Sequence, residues 1–461
     1  MRKSLNRWLN DTVEAMMDDI RRLRPALPRM LALGEPTHGE DDLLRLRNRL
    51  FRQLVEEHGY RTIALESDCL RGLIVDDFIG GGDGSLDAVM ASGFSHEWGA
   101  FEGNRELVRW MRAHNEGRPG ADRVRFAGFD GPLEISGGAS PREALTGLHR
   151  YLAERIDPSL LPCSAETLDR LIGDDGRWPE PAAMMDPSRS VGRTPEAVEL
   201  RLIADDLVAL LDEHTPEFPS ETARLYGRTA TGLLRYHHWM ADSTSARLTR
   251  LLGVRDSMMA ANLLALRGRT LVFAHNSHLQ RTRSSMRMGG PLLHWWGAGA
   301  LVDAQLGDDY GFFAIALGTI RHQGVEAPPP DTLEGILYAG PANKNKNKEP
   351  YSASPSNRNA EPNSAAPANS NAEPNSAAPA NSNAEPNSAA LANKNTEPNS
   401  AAPVDVVDPA ELAGRPMTAR VSPWFGYAPF DPAGLDRVDG IVFVKDVGAS
   451  APPETKPTRS A

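Results

Sequence analysis

Short apolar runs alternate with amphipathic stretches along the first part of the chain. Met30–Gly34, Arg61–Glu66 and Arg125–Asp130 read as strands, and Thr270–His275 and Gly311–Leu317 follow much later. Between the first three, apolar residues return every three or four positions. After Gly39, for example, Leu43, Leu46, Leu50, Phe51 and Leu54 mark one face of a helix. Strands separated by helices imply crossover connections and a mostly parallel sheet. Leu5, Trp8, Leu9, Val13, Met16, Met17 and Ile20 give the N-terminus an amphipathic helix, not the continuous apolar core of a signal peptide.

From about Pro141 to Arg269 the strand signals fade. Arg142–Ile156, Glu196–His214, Ser220–Met240 and Ser243–Leu266 read as four amphipathic helices, a lobe inserted between strands. From about Pro341 to Pro403 the sequence is mainly Asn, Ala, Pro, Ser and Glu, with almost no large apolar residue. A 12-residue unit begins at Asn359 and again at Asn371, with degraded copies at Asn383 and Asn395. Proline in every copy forbids a long helix, and nothing there can bury a core. Gly440–Val444 then resumes the strand pattern.

The expected fold class is α/β: a mostly parallel central sheet with flanking helices, an inserted helical lobe and a disordered repeat insertion. Residues 1–140 begin the core, 141–269 form the lobe and 270–340 return to the core. The insertion occupies 341–403, the core ends over 404–446, and 447–461 is a disordered tail.

Composition narrows the function classes. A net charge of −11 over 461 residues argues against a general nucleic-acid binder, which would show a basic face. No stretch approaches the roughly 20 apolar residues of a membrane span. Cys69 and Cys163 offer neither a disulfide framework nor zinc spacing. The expected setting is cytoplasmic, with no membrane or nucleic-acid partner and no oligomeric state assigned.

Chemistry gathers at the strand ends. The first strand runs into Glu35 and His38, the second ends at Glu66, the third at Asp130, and Thr270–His275 leads to His275 and His278. Carboxyl ends of parallel strands share one edge, so these six residues are expected to converge. A histidine there titrates near neutral pH, and carboxylates beside it raise its pKa and stabilise its cation. Gly-x-Ser-x-Gly, Gly-x-Gly-x-x-Gly and phosphate-loop motifs are all absent. Gly80–Gly84 reads as a turn. His237 and His238 sit in a predicted helix, pointing about 100° apart, which disfavours a joint metal site.

These residues resemble the erythromycin esterase family. The likeness runs through Gly34-Glu35-x-x-His38-Gly39, Arg47, Ile63–Glu66, Trp98 and Glu102, then Trp110-Met111-Arg112-x-x-Asn115 and Gly128-Phe129-Asp130. It continues through Arg255-Asp256-x-Met258-x-x-x-Asn262 and Ala274-His275-Asn276-x-His278. The resemblance implies an α/β core, a helical lobe and a cleft between them. It also implies hydrolysis of a carboxylic ester or lactone, macrolides among them, without a covalent serine intermediate and without a cofactor. His38 would be the base that activates water, with Glu35 and Glu66 orienting it and Arg47, His275 and His278 around it. Arg47 or a protonated His275 or His278 would meet the oxyanion, while Arg255, Asp130 and Trp98 would contact the substrate.

Two alternatives use the same residues. His38, Glu66, His275 and His278 are suitable ligand types for a transition metal, which would give a metal-dependent hydrolase. The other is a non-catalytic protein of related fold that binds metal or haem.

Overall fold

The computed structural model describes residues 2–134, 137–287, 290, 292–340, 404–424 and 426–448. The expected repeat insertion, 341–403, lies outside the described residues, as does the expected tail beyond Gly448. One sheet organises the rest. Its strands are β1 (Met30–Glu35), β2 (Thr62–Asp68), β3 (Arg125–Asp130), β4 (Thr270–His275), β5 (Tyr310–Ile320), β6 (Val404–Val407) and β7 (Gly440–Val447). They lie in the order β6-β7-β5-β1-β4-β2-β3, parallel throughout except for the β6–β7 pair.

The apolar runs form strands because both faces of the sheet are covered, and β1, β2 and β5 are buried along their whole length. Alternation along the strands sends Leu31, Leu33, Ile63, Leu65, Leu271 and Phe273 to one face. There they pack on α1 (Arg2–Leu23), α2 (Asp41–His58), α3 (Cys69–Ile79), α4 (Leu86–Ser92) and α5 (Glu102–Asn115). Removing one of these rings, as in Phe273→Ala, would cost about 3–5 kcal/mol.

Between β3 and β4 the chain is helical: α6 (Arg142–Ala153), α7 (Ala165–Ile172), α8 (Pro195–Glu213), α9 (Glu221–Met240) and α10 (Arg247–Ala265). Their starts follow from capping. Ser164, Thr194 and Ser220 accept from backbone amides of α7, α8 and α9, and Pro195 opens α8, where its missing N–H costs nothing. Leu145, Leu148, Leu200, Ala204 and Leu207 form a core among these helices. Helix α7, which the periodicity did not reveal, joins that core through Leu168, Leu171 and Ile172.

Met30, Ala32, Ala64, Val272 and Ala274 face the other way, toward Met259 and Leu263 of α10. After β4 come α11 (Asn276–Leu279), α12 (Ala298–Leu306) and α13 (Leu333–Ala339). An antiparallel hairpin, Arg283–Arg287 with Leu292–Trp296, separates α11 from α12 and was not expected. Among the described residues no helix is long and apolar enough to cross a membrane.

Candidate active site

Four neighbouring strands, β1, β4, β2 and β3, deliver the site at their carboxyl ends. Gly34 makes the first approach possible: a Cβ there would lie 2.3 Å from Asn276 Oδ1, so only glycine lets α11 close over β1. Glu35 follows, in register with His275. The chain then turns through Gly39, whose φ of +86° suits glycine, and places His38 above Glu35. His38 Nδ1 lies 2.7 Å from Glu35 Oε1, and Nε2 lies 3.9 Å from Glu66 Oε2. The His38 side chain is 35% exposed, against 2% for Glu35 and 3% for Glu66. The imidazole is therefore the most open of the three groups.

Glu66 is the hub. The β2–β3 register shifts between Leu65 and Asp68, so the ladder breaks where Glu66 turns into the site. Its Oε2 accepts from the His275 amide at 2.9 Å. Its Oε1 accepts from Arg255 Nη2 at 3.2 Å and faces His278 Nε2 at 3.2 Å. Burial pushes its carboxyl up, but the charges of His278, His38 and Arg255 outweigh burial and hold it well below the usual range. Glu35 behaves oppositely: burial dominates and raises it despite His38. For His38, burial lowers the pKa, and the charge of Glu66 and the hydrogen bond to Glu35 more than restore it, so it ends above 6.5.

Asp130 is fully buried. Its carboxylate accepts from Arg255 Nε at 3.1 and 3.2 Å and from Nη2 at 2.7 Å, while Oδ1 also takes the Gly131 amide. Arg255 is thus clamped between two carboxylates through Nε and Nη2, and among the described residues its Nη1 makes no hydrogen bond. On the far side of Trp98, His96 Nδ1 pairs with Glu134 at 2.6 Å, and its Nε2 lies 3.7 Å from Asp130 Oδ2. The Trp98 ring centre stands 5.0 Å from that of His38 and 5.7 Å from that of His96.

The two later histidines differ in kind. His275 Nε2 donates to the Pro36 carbonyl at 3.0 Å, and Nδ1 accepts from the Ser277 hydroxyl at 2.7 Å. Burial, with the nearby His38 charge, lowers its pKa to about 3, so it is neutral. Ser277 is a hydroxyl beside an imidazole, but burial makes that imidazole a weak base for it. His278 instead reaches about 10, because Asp256 and Glu66 outweigh its burial.

The six strand-end residues come together as the sequence implied, but several roles change. His275 cannot be a protonated donor, since it is neutral with both nitrogens engaged. His278 is a cation, yet both its N–H groups face carboxylates. Arg47 lies 1% exposed behind Glu35, donating to Asn48 Oδ1 and Asn104 Oδ1, with its guanidinium 5.0 Å above the Phe273 ring. Burial lowers it to about 10, and substrate cannot reach it. Asp130, saturated by Arg255, cannot contact substrate either. The alternative ligand set of His38, Glu66, His275 and His278 fails for the same reason: two of its members have both nitrogens committed. Among the described residues, no group of three or more His, Cys, Asp or Glu could hold a metal ion.

Sequence reasoning quoted Asp256 in the family pattern without giving it a role, and missed His96. Asp256 was legible, because an acid on the stripe with Met259, Ala260 and Leu263 is on the buried face of α10. His96 was not. It and Glu97 adopt left-handed φ values of 56° and 58°, which no glycine signals.

The erythromycin esterase family model matches residues 55–447, a stretch that holds Glu66, Asp130, Arg255, His275 and His278. The chain belongs to the erythromycin esterase family. Glu35, His38 and Arg47 precede the matched stretch, and the geometry above ties them to it. Erythromycin esterase type I of Escherichia coli is 22% identical over 276 residues, which is 55% of this chain and 62% of that one. Type II from the same organism is 29% identical over 117 residues, covering 25% of this chain and 27% of that one. The chain thus spans less than two thirds of either relative. A crystal structure from Bacillus cereus shares the fold, with a TM-score of 0.59 at 16% identity over 96% of this chain and 97% of that one.

Proposed function

We propose that this member of the erythromycin esterase family hydrolyses a carboxylic ester or lactone, macrolide lactones included, with water activated by His38. The observation that carries the reading is the state of one imidazole. Its Nδ1–H is fixed on Glu35, which leaves Nε2 as the basic nitrogen in the most exposed side chain of the cluster. A water about 2.8 Å from both His38 Nε2 and Glu66 Oε2 would be held by two acceptors, with lone pairs free for attack. Nε2 takes the water proton as the oxygen bonds to the carbonyl carbon. When the tetrahedral intermediate collapses, the carbon–alkoxy bond breaks and the imidazolium returns the proton to the leaving oxygen.

The growing oxyanion needs a donor, and Arg255 offers a cation whose Nη1 makes no hydrogen bond to a described residue. Asp130 and Glu66 hold that guanidinium in place, and the Trp98 ring walls the site beside His38. The test is mass spectrometry of an ester and lactone panel, macrolides included, incubated in 18O-labelled water with wild type and with His38→Asn. The expected result is addition of one labelled water by wild type, with one 18O in the acid, and none by the variant. Equal conversion by His38→Asn would refute the reading.

A further inference from the structure

His278 raises a question of proton count. A neutral imidazole carries one N–H, yet both ring nitrogens face carboxylate oxygens. Nδ1 lies 2.8 Å from Asp256 Oδ1, and Nε2 lies 3.2 Å from Glu66 Oε1. Asp256 is itself surrounded by donors: the Trp295 indole N–H reaches Oδ2 at 2.7 Å and the Ala298 amide reaches Oδ1 at 2.8 Å. With the Trp295 indole and the Ala298 amide both donating to it, Asp256 stands as an acceptor toward His278 Nδ1, as Glu66, held well below the usual carboxylate range, does toward Nε2. Both nitrogens of His278 must then donate, and the ring is an imidazolium. Asp256 and Trp295 are both buried.

We propose that Asp256, anchored by Trp295 and Ala298, is a positioning residue that holds His278 as a doubly donating ring against the inner side of Glu66. Its consequence for turnover rests on the reading of His38 as the base; its consequence for proton binding does not. The charged and titratable groups around His38 are Glu35 on its own segment, Glu66 from β2, His275 at the end of β4 and His278 from α11. Arg47 stands behind Glu35, and Arg255 behind Glu66. Glu66 and Glu35 favour the protonated form of His38, and the His278 cation opposes it. Asp256 reaches His38 through His278, which it contacts directly.

That arrangement gives an unusual sign. Deleting a carboxylate ordinarily lowers the pKa of a nearby histidine. In Asp256→Asn, His278 loses its strongest partner and gives up its proton more readily. His38 then loses the cation that opposed it, and its own pKa rises. The acid limb of kcat/KM moves to higher pH, while the plateau above it is kept. Simple damage to the site would lower the plateau and leave the limb in place.

The test is an NMR titration of the chain labelled with 15N-histidine, as wild type, Asp256→Asn and Trp295→Phe. His38→Asn and His278→Asn assign the two resonances. The expected result is a downward shift of His278 and an upward shift of His38 in Asp256→Asn, with smaller shifts of the same signs in Trp295→Phe. Trp295→Phe keeps the carboxylate and carries the test if Asp256→Asn does not fold. A His38 pKa that falls or stays put in a folded variant would overturn the proposal. Because the titration uses no substrate, a protein with these shifts but no ester turnover would count against the hydrolase reading alone.

Discussion

The two sides of the site differ in how many valences they leave open. On the β2–β3–β4 side, Glu66, Asp130, Arg255, His275 and His278 have their hydrogen-bonding groups almost all engaged, with one another or with Asp256, Ser277 and the Pro36 carbonyl, at exposures near zero for the carboxylates. On the β1 side, His38 is held at one nitrogen and open at the other. The closed side is a set of fixed charges, expensive to bury singly and stable only as a unit. The open side is where a proton can be taken up and returned. Chemistry and stability should therefore separate on mutation.

The largest expected effect lies on the open side. His38→Asn should lower kcat/KM by about 10²–10⁴-fold while leaving the melting temperature nearly unchanged, measured by steady-state kinetics and calorimetry. Arg255→Met attacks the closed side. It strands Asp130 and Glu66 without their shared cation, and about 3–5 kcal/mol of stability should be lost in denaturant titration, along with turnover. If Arg255→Met left stability intact, the separation would be wrong. Gly34→Ala is milder, because the new methyl group meets Asn276 across the join of β1 and α11. It should cost about 1–3 kcal/mol by the same measurement, with the pH profile unmoved.

The parallel sheet was readable because strands covered on both faces are continuous apolar runs. The site was readable because parallel strands end on one edge, so Glu35, Glu66, Asp130 and His275 could be placed together without knowing any distance. What each residue does there was less accessible. Arg47 follows Leu43 by four residues and precedes Leu50 by three, on the buried stripe of α2. That spacing already marked it as covered, though its charge had suggested a donor to the oxyanion. His275 and His278 look alike in sequence, and only their partners, a backbone carbonyl and Ser277 for one and two carboxylates for the other, make them neutral and cationic. The hairpin at Arg283–Trp296, whose Trp295 secures Asp256, alternates over too few residues to stand out beside long helices.

The smallest expected change is also the most direct test of His38 as the base. It is the pH dependence of kcat/KM for wild type and Glu35→Gln, using a hydrolysed member of the ester panel. His38 must be neutral to act, and its pKa lies above 6.5 in part because Glu35 favours the cation. Activity should rise with pH through that pKa, and the rise should move to lower pH in Glu35→Gln, whose amide still accepts from Nδ1. A limb that stays in place, or activity that falls as pH rises through this range, would contradict the assignment.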